Sequence, residues 1–258
     1  MKKVKTMKKE TMKRVNWFLW AMLLTILPPL QSCDDNDGYS IGDIGRDWAT
    51  VRVLSGDTYY LVGDNWGKLW PAATAHWNYK PLDGQRVIAY FNPLSDRTGE
   101  YDHDVKVERL YNILTKEVEE LTAENEASFG NDPVVIWQND MWVDGGYLNV
   151  VFQQNVPNKE RHRVSLVRNT TVADPNDGYI HLEYRYNTYN DLSGYWLEGA
   201  VSFNLNSLEM GENTKGIKVK LNSQKNGEVE LTFDLNSTQT PASVKSMKLS
   251  GALSDKLK

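Results

Sequence analysis

Apolar and polar residues alternate with a period of two over many short stretches of this chain. That period puts successive side chains on opposite faces of the backbone and predicts half-buried β-strands. The first stretch is Trp48 to Leu54, closed by Ser55-Gly56-Asp57. The second, Thr58 to Val62, is closed by Gly63-Asp64-Asn65, and the two read as a hairpin. Trp66 to Trp70 leads into Pro71. Gly84 to Phe91 starts from an Asp83-Gly84 turn, and Asp104 to Leu114 turns Val105, Val107 and Leu110 inward. Four or five strands within so short a span suit a small barrel.

The pattern changes after this. Lys116 to Ser128 is acidic and helix-compatible, and Thr122 is a candidate cap for a short helical turn. Gly130-Asn131-Asp132-Pro133 then interrupts it. These shifts predict a barrel domain over 47–116, a linker over 117–131 and a second domain over 132–258. The second domain is again β. Its strand candidates are Val134–Gln138, Met141–Val143, Tyr147–Gln153, Arg161–Arg168, Tyr179–Tyr186 and Gly199–Leu205. Gly216–Ser223 and Gly227–Asp234 form a last hairpin across Gln224-Lys225-Asn226. This spacing fits an antiparallel β-sandwich. No helical pattern alternates with the strands, which counts against a parallel α/β sheet. The expected fold class is all-β, a small barrel followed by an antiparallel sandwich.

The N-terminus carries a different signal. Six lysines and Arg14 precede an apolar run from Val15 to Leu27, which Pro28-Pro29 closes. A run of about 13 residues suits a signal peptide and is too short to span a bilayer. Leu30-Gln31-Ser32-Cys33 follows, and Cys33 is the only cysteine in the chain. The pattern predicts a lipoprotein leader over 1–32, cleaved so that Cys33 becomes a lipidated N-terminus and anchors the protein to a membrane. Stable anchoring takes two or more acyl chains, as bacterial lipoproteins carry. Asp34, Asp35 and Asp37 begin an acidic tether over 33–46 that resembles the surface-export signal of Bacteroidetes lipoproteins. The expected location is the outer membrane, facing the cell surface, with a periplasmic face as the alternative. Loss of the leader, with seven basic residues and one acid, takes the net charge from −5 to −11. So acidic a chain is unsuited to nucleic acid, because phosphate contacts need clustered Lys and Arg. With Cys33 acylated no disulfide can form.

Several phrases resemble the NigD-like lipoproteins of Bacteroidetes. They are Asp83-Gly84-Gln85-Arg86-Val87, Asn131-Asp132-Pro133, Trp142 ahead of Tyr147-Leu148-Asn149-Val150, His162 with Leu166-Val167, and Leu182 through Asn187. The resemblance implies an N-terminal OB-like barrel joined to a C-terminal β-sandwich. It also implies a suggested link to bacteriocin immunity, and no established catalytic residue.

Catalytic signals are weak. The four histidines form no metal-binding pair motif, and no Gly-x-Ser-x-Gly or phosphate loop occurs. His103, between Asp102 and Asp104, reads better as a solvated turn than as a metal site. His162 and His181 read as satisfied groups of strands. No enzyme activity, metal or cofactor is expected. Trp66, Trp70, Trp77 and Tyr79 crowd a loop-rich stretch and are the candidate ligand platform, for a sugar or peptide. The alternative, which the sequence favours, is that they plug the barrel and staple its long loop. The expected role is binding of an unidentified protein or glycan, with bacteriocin immunity or envelope protection as the rival.

Overall fold

A computed structural model describes residues 39–40, 42–96, 99–137, 140–234 and 256–258. The predicted leader, Cys33 and the first residues of the predicted tether lie outside these. Strands β1 (Gly45–Ser55), β2 (Thr58–Gly63), β3 (Gly67–Thr74), β4 (Arg86–Asp96) and β5 (His103–Asn112) close a barrel in the order β1-β2-β3-β5-β4. Only β3 and β5 pair in parallel. Alternation sets which side chains fill it: Ala49, Val51, Leu61, Leu69, Val87, Ala89, Phe91, Val105 and Val107 form the barrel core. Closure leaves no exposed strand edge.

Two details depart from the sequence pattern. β3 does not stop at Pro71 but runs on to Thr74. Pro71 borders a register shift in the pairing with β5, where a missing N–H is tolerated. The stretch 114–121, expected to be helix-compatible after Lys116, holds two short strands, β6 (Leu114–Glu117) and β7 (Glu119–Leu121). β6 pairs in parallel with one sheet of the sandwich and β7 with the other. Open strand edges supply backbone partners, and Leu121 is fully buried among Phe129 and Val167. Those gains outweigh the weak helix preference of Lys and Glu. Among the described residues α-helix is confined to α1 (Glu126–Phe129), whose N-cap is Asn125 rather than Thr122.

The sandwich adds β8 (Met141–Asp144), β9 (Tyr147–Asn155), β10 (Arg163–Asn169), β11 (Tyr179–Asn187), β12 (Trp196–Asn204), β13 (Gly216–Ser223) and β14 (Gly227–Asp234). Its sheets have the orders β14-β13-β11-β10-β7 and β6-β12-β9-β8. The expected hairpin of β13 and β14 is present. β11 and β13 pair in parallel, as β6 and β7 do with their partners, within an otherwise antiparallel arrangement. The predicted strand at Val134 is reduced to single bridges. Val134 meets Ser223 in one sheet and Val135 meets Gln153 in the other, so no ladder forms. The inner faces meet in one core that includes Leu148, Val150, Phe152, Leu166, Tyr184, Tyr186, Val201 and Phe203.

The outward side chains of the barrel do not all reach water. Trp48, Ile88 and Ile113 pack against Trp142, Val151 and Ala200 on the outer face of the four-stranded sheet. Barrel and sandwich therefore share an apolar junction.

Candidate binding surfaces

The structure disperses the four aromatic residues of the predicted platform. Trp66 packs against the barrel core and meets Phe91 edge-on at 5.2 Å and His103 at 5.4 Å. Tyr79 also packs against that core, beside Tyr59 at 5.7 Å, and its hydroxyl donates to Asn112 Oδ1 at 3.2 Å. Burial pushes the Tyr79 phenol well above its ordinary value, with Tyr59 adding to the effect. These two sites lie toward opposite ends of the barrel. Phe91 pairs with Gly45 and Tyr59 with Val53, eight residues apart on β1, or roughly 26 Å at the usual strand rise. Trp70 lies tilted against Tyr101 with centroids 4.9 Å apart, while Trp77 is 85% exposed. No single flat surface collects all four.

At the junction the central residue is Arg86. It is fully buried, and its guanidinium donates to Asp64 at 2.8 and 2.6 Å and to Thr50 Oγ1 at 3.0 Å. It also lies 5.9 Å from the Trp48 ring centroid and 5.4 Å from that of Tyr147, so it touches both domains. Tyr147 returns a hydrogen bond from its hydroxyl to the carbonyl of Gly84 at 2.9 Å. Gly84 sits at φ 78°, which suits glycine and explains the Asp83-Gly84 turn. Burial, with the charge of Asp64, pushes the Asp144 carboxyl up to about 6, against the opposing pull of Arg86. A cleft of about 460 Å³ opens beside this junction. Several of its polar groups are already bonded: Gln85 Nε2 donates to the carbonyl of Ile113 at 2.6 Å, and Asn204 Nδ2 to Glu117 Oε1 at 2.9 Å. This arrangement ties two domains together and offers little to a ligand.

A third surface was not singled out by sequence pattern. Leu192, Tyr195, Trp196 and Leu197 are 48%, 84%, 47% and 42% exposed, the first two in the loop before β12 and the last two at its start. The loop before them is tightly built. Asp191 accepts from the backbone N–H groups of Asn158 at 3.0 Å and Lys159 at 2.7 Å, and from the Ser193 hydroxyl. These bonds, that of Ser193 foremost, hold its carboxyl well below the usual range. Asn155 Nδ2 donates to the carbonyl of Leu192 at 3.1 Å. Gly194 passes so close to Val156 that a Cβ would stand 2.3 Å from its carbonyl oxygen. Tyr189 and Asn190 hold φ of 49° and 59°, a left-handed pair that ordinary side chains rarely adopt. Such strain persists only where surrounding structure holds it, and it concentrates at functional sites.

His162 supports this loop from below. It is fully buried, with Nε2 donating to the carbonyl of Asp191 at 2.7 Å and Nδ1 accepting from the Tyr186 hydroxyl at 2.9 Å. Burial pushes its pKa down, so the ring is neutral in the fold. The C-terminal residues pair alongside, Lys258 N–H donating to the His162 carbonyl at 2.8 Å. The other histidines are also engaged. His103 Nδ1 lies 2.7 Å from Asp96, His181 Nε2 lies 3.1 Å from Asp177, and His76 Nδ1 accepts from the backbone N–H of Leu110 at 3.1 Å. Among the described residues, no group of three or more His, Cys, Asp or Glu is gathered to hold a metal ion.

Fold and surfaces together define a two-domain all-β scaffold, an OB barrel fused to a β-sandwich. The chain matches the NigD-like N-terminal OB domain over residues 48–113 and the NigD-like C-terminal β-sandwich domain over 117–235. It belongs to the NigD-like family. A solved Parabacteroides distasonis protein, named for a suggested relation to toxins, is 33% identical with a TM-score of 0.64, covering 80% of this chain and 100% of its own. A Bacteroides vulgatus protein of unknown function is 28% identical with a TM-score of 0.67, covering 84% and 100%. A NigD-like immunity protein from Bacteroides caccae shares the fold at 17% identity with a TM-score of 0.55, covering 74% and 94%. Comparison with curated proteins found no match.

Proposed function

We propose that this protein is a non-catalytic envelope lipoprotein, anchored through Cys33 in the outer membrane and facing the cell surface, that binds another protein through its sandwich. The observation that carries the reading is the exposure of Leu192, Tyr195, Trp196 and Leu197 on and beside a loop fixed by its own hydrogen bonds. Tyr and Trp concentrate binding energy at protein interfaces, and a preorganised loop loses little entropy on docking. A protein suits this surface better than a sugar. Sugars need free hydrogen-bonding groups, whereas Asp191, Asn155 and Asn158 are already bonded within the loop.

The test is affinity capture from intact cells with the full-length protein and a Tyr195→Ser/Trp196→Ser variant. Wild type is expected to bring down a partner protein that the variant loses at an unchanged melting temperature. Equal capture by both overturns the assignment of this surface. A captured bacteriocin would make the module an immunity protein, and a captured polysaccharide would overturn the preference for a protein.

A further inference from the structure

The barrel end at which β1 begins carries an apolar fringe that the binding surface does not use. Tyr39, Ile44 and Leu94 are 38%, 57% and 48% exposed. They share one end of the barrel. The Tyr39 hydroxyl donates to Asp96 at 2.8 Å, Asn92 Nδ2 donates to the carbonyl of Asp43 at 2.8 Å, and Gly45 pairs with Phe91. Only five residues separate Cys33 from Tyr39. Whatever path they take, six residue steps reach at most about 20 Å.

We infer that this barrel end, presenting Tyr39, Ile44 and Leu94, lies against the lipid headgroups of the membrane that holds Cys33. The inference rests on the proposed acylation of Cys33. A tether this short holds the fringe at high effective concentration beside the bilayer, so weak apolar contacts suffice. Tyrosine suits such an interface, with an apolar ring and a polar tip. Charge does not drive the contact. Asp43, Asp96, Asp102 and Asp104 outnumber Arg46 and Lys68 at this end of the barrel, so a zwitterionic surface suits it better than an anionic one. The barrel's opposite end, with Trp77 in the loop after β3, then faces away from the membrane.

The experiment uses the full chain, expressed with its leader and reconstituted into phosphatidylcholine vesicles. Acylation blocks Cys33, so Ile44→Cys, Leu94→Cys and Trp77→Cys each carry one free thiol for a fluorescent label. Lipids spin-labelled near the headgroup should quench the labels at 44 and 94 several-fold more than the label at 77. Equal quenching at both ends, or none at 44 and 94, overturns the inference. The mass of the mature protein separates the two levels. An unmodified Cys33 overturns the lipoprotein reading together with this one, whereas an acylated but unquenched protein overturns the orientation alone.

Discussion

Arg86 and Asp64 form a two-pronged ion pair at 2.6 and 2.8 Å with both side chains closed off from solvent. The pair sits where the barrel meets the sandwich, because the same guanidinium lies over Trp48 and Tyr147. Removing one partner of a buried pair strands the other charge and costs about 3–5 kcal/mol. Asp64→Ala and Arg86→Ala should each lower the free energy of unfolding, read from urea melts, by that margin. Replacing both by apolar residues should recover part of the loss. A single variant as stable as wild type would show that the pair is solvated in solution.

Asp144 makes stability depend on pH in an unusual direction. Its carboxyl is raised from 3.8 to about 6, so the folded state holds a proton that the unfolded chain has released. Stability should therefore fall as pH rises from 3.8 to about 6, then level off. Asp144→Asn should shrink that slope to the part contributed by the raised carboxyls of Asp47 and Asp140, and stabilise the protein at neutral pH. Urea melts across the range check it, and an unaltered slope in the variant would assign the effect elsewhere.

His162 works with the opposite sign. Its pKa is lowered by burial, so the unfolded chain takes up a proton that the folded state refuses. Stability should be lost as pH falls below 6.5, the ordinary value for histidine. His162→Gln should flatten this acid limb while lowering stability overall, since the Asp191 carbonyl and Tyr186 hydroxyl lose their common partner. NMR titration of the ring in the native protein gives a direct reading, and a value above 6.5 would contradict the buried neutral form.

The left-handed pair Tyr189 and Asn190 offers a test of loop rigidity. Glycine adopts that conformation without strain, and asparagine tolerates it at a smaller cost than most residues. Asn190→Gly should leave the melting temperature unchanged or slightly raised, because relief of strain offsets the greater freedom of the unfolded chain. Partner capture should weaken nonetheless as the loop gains mobility near Tyr195. A large fall in stability would mean that the Asn190 side chain itself holds the loop.

The phrases that carry the family resemblance have structural work in this fold. Asp83 to Arg86, Trp142 and Tyr147 meet at the junction, while Asp132, His162 and Tyr186 gather beneath the 188–195 loop. Asp132 accepts from the Thr188 backbone and hydroxyl at the foot of that loop.

Alternation by itself determined most of the strands, the hairpins of β1 with β2 and β13 with β14, and the inward set Val105, Val107 and Leu110. A side-chain period of two is a local property, and burial of one face enforces it. Tertiary structure decided what depends on distant partners. Lys116 to Leu121 became strand because β12 and β10 presented open edges, and nothing local announces an edge. Arg86 became buried because Asp64 and two aromatic rings closed over it. Tyr195 and Trp196 stayed outside although their backbones pair with Val156 and Asn155, because their side chains project from the end of the sheet. Composition marks an apolar residue, but exposure is a property of the assembled surface.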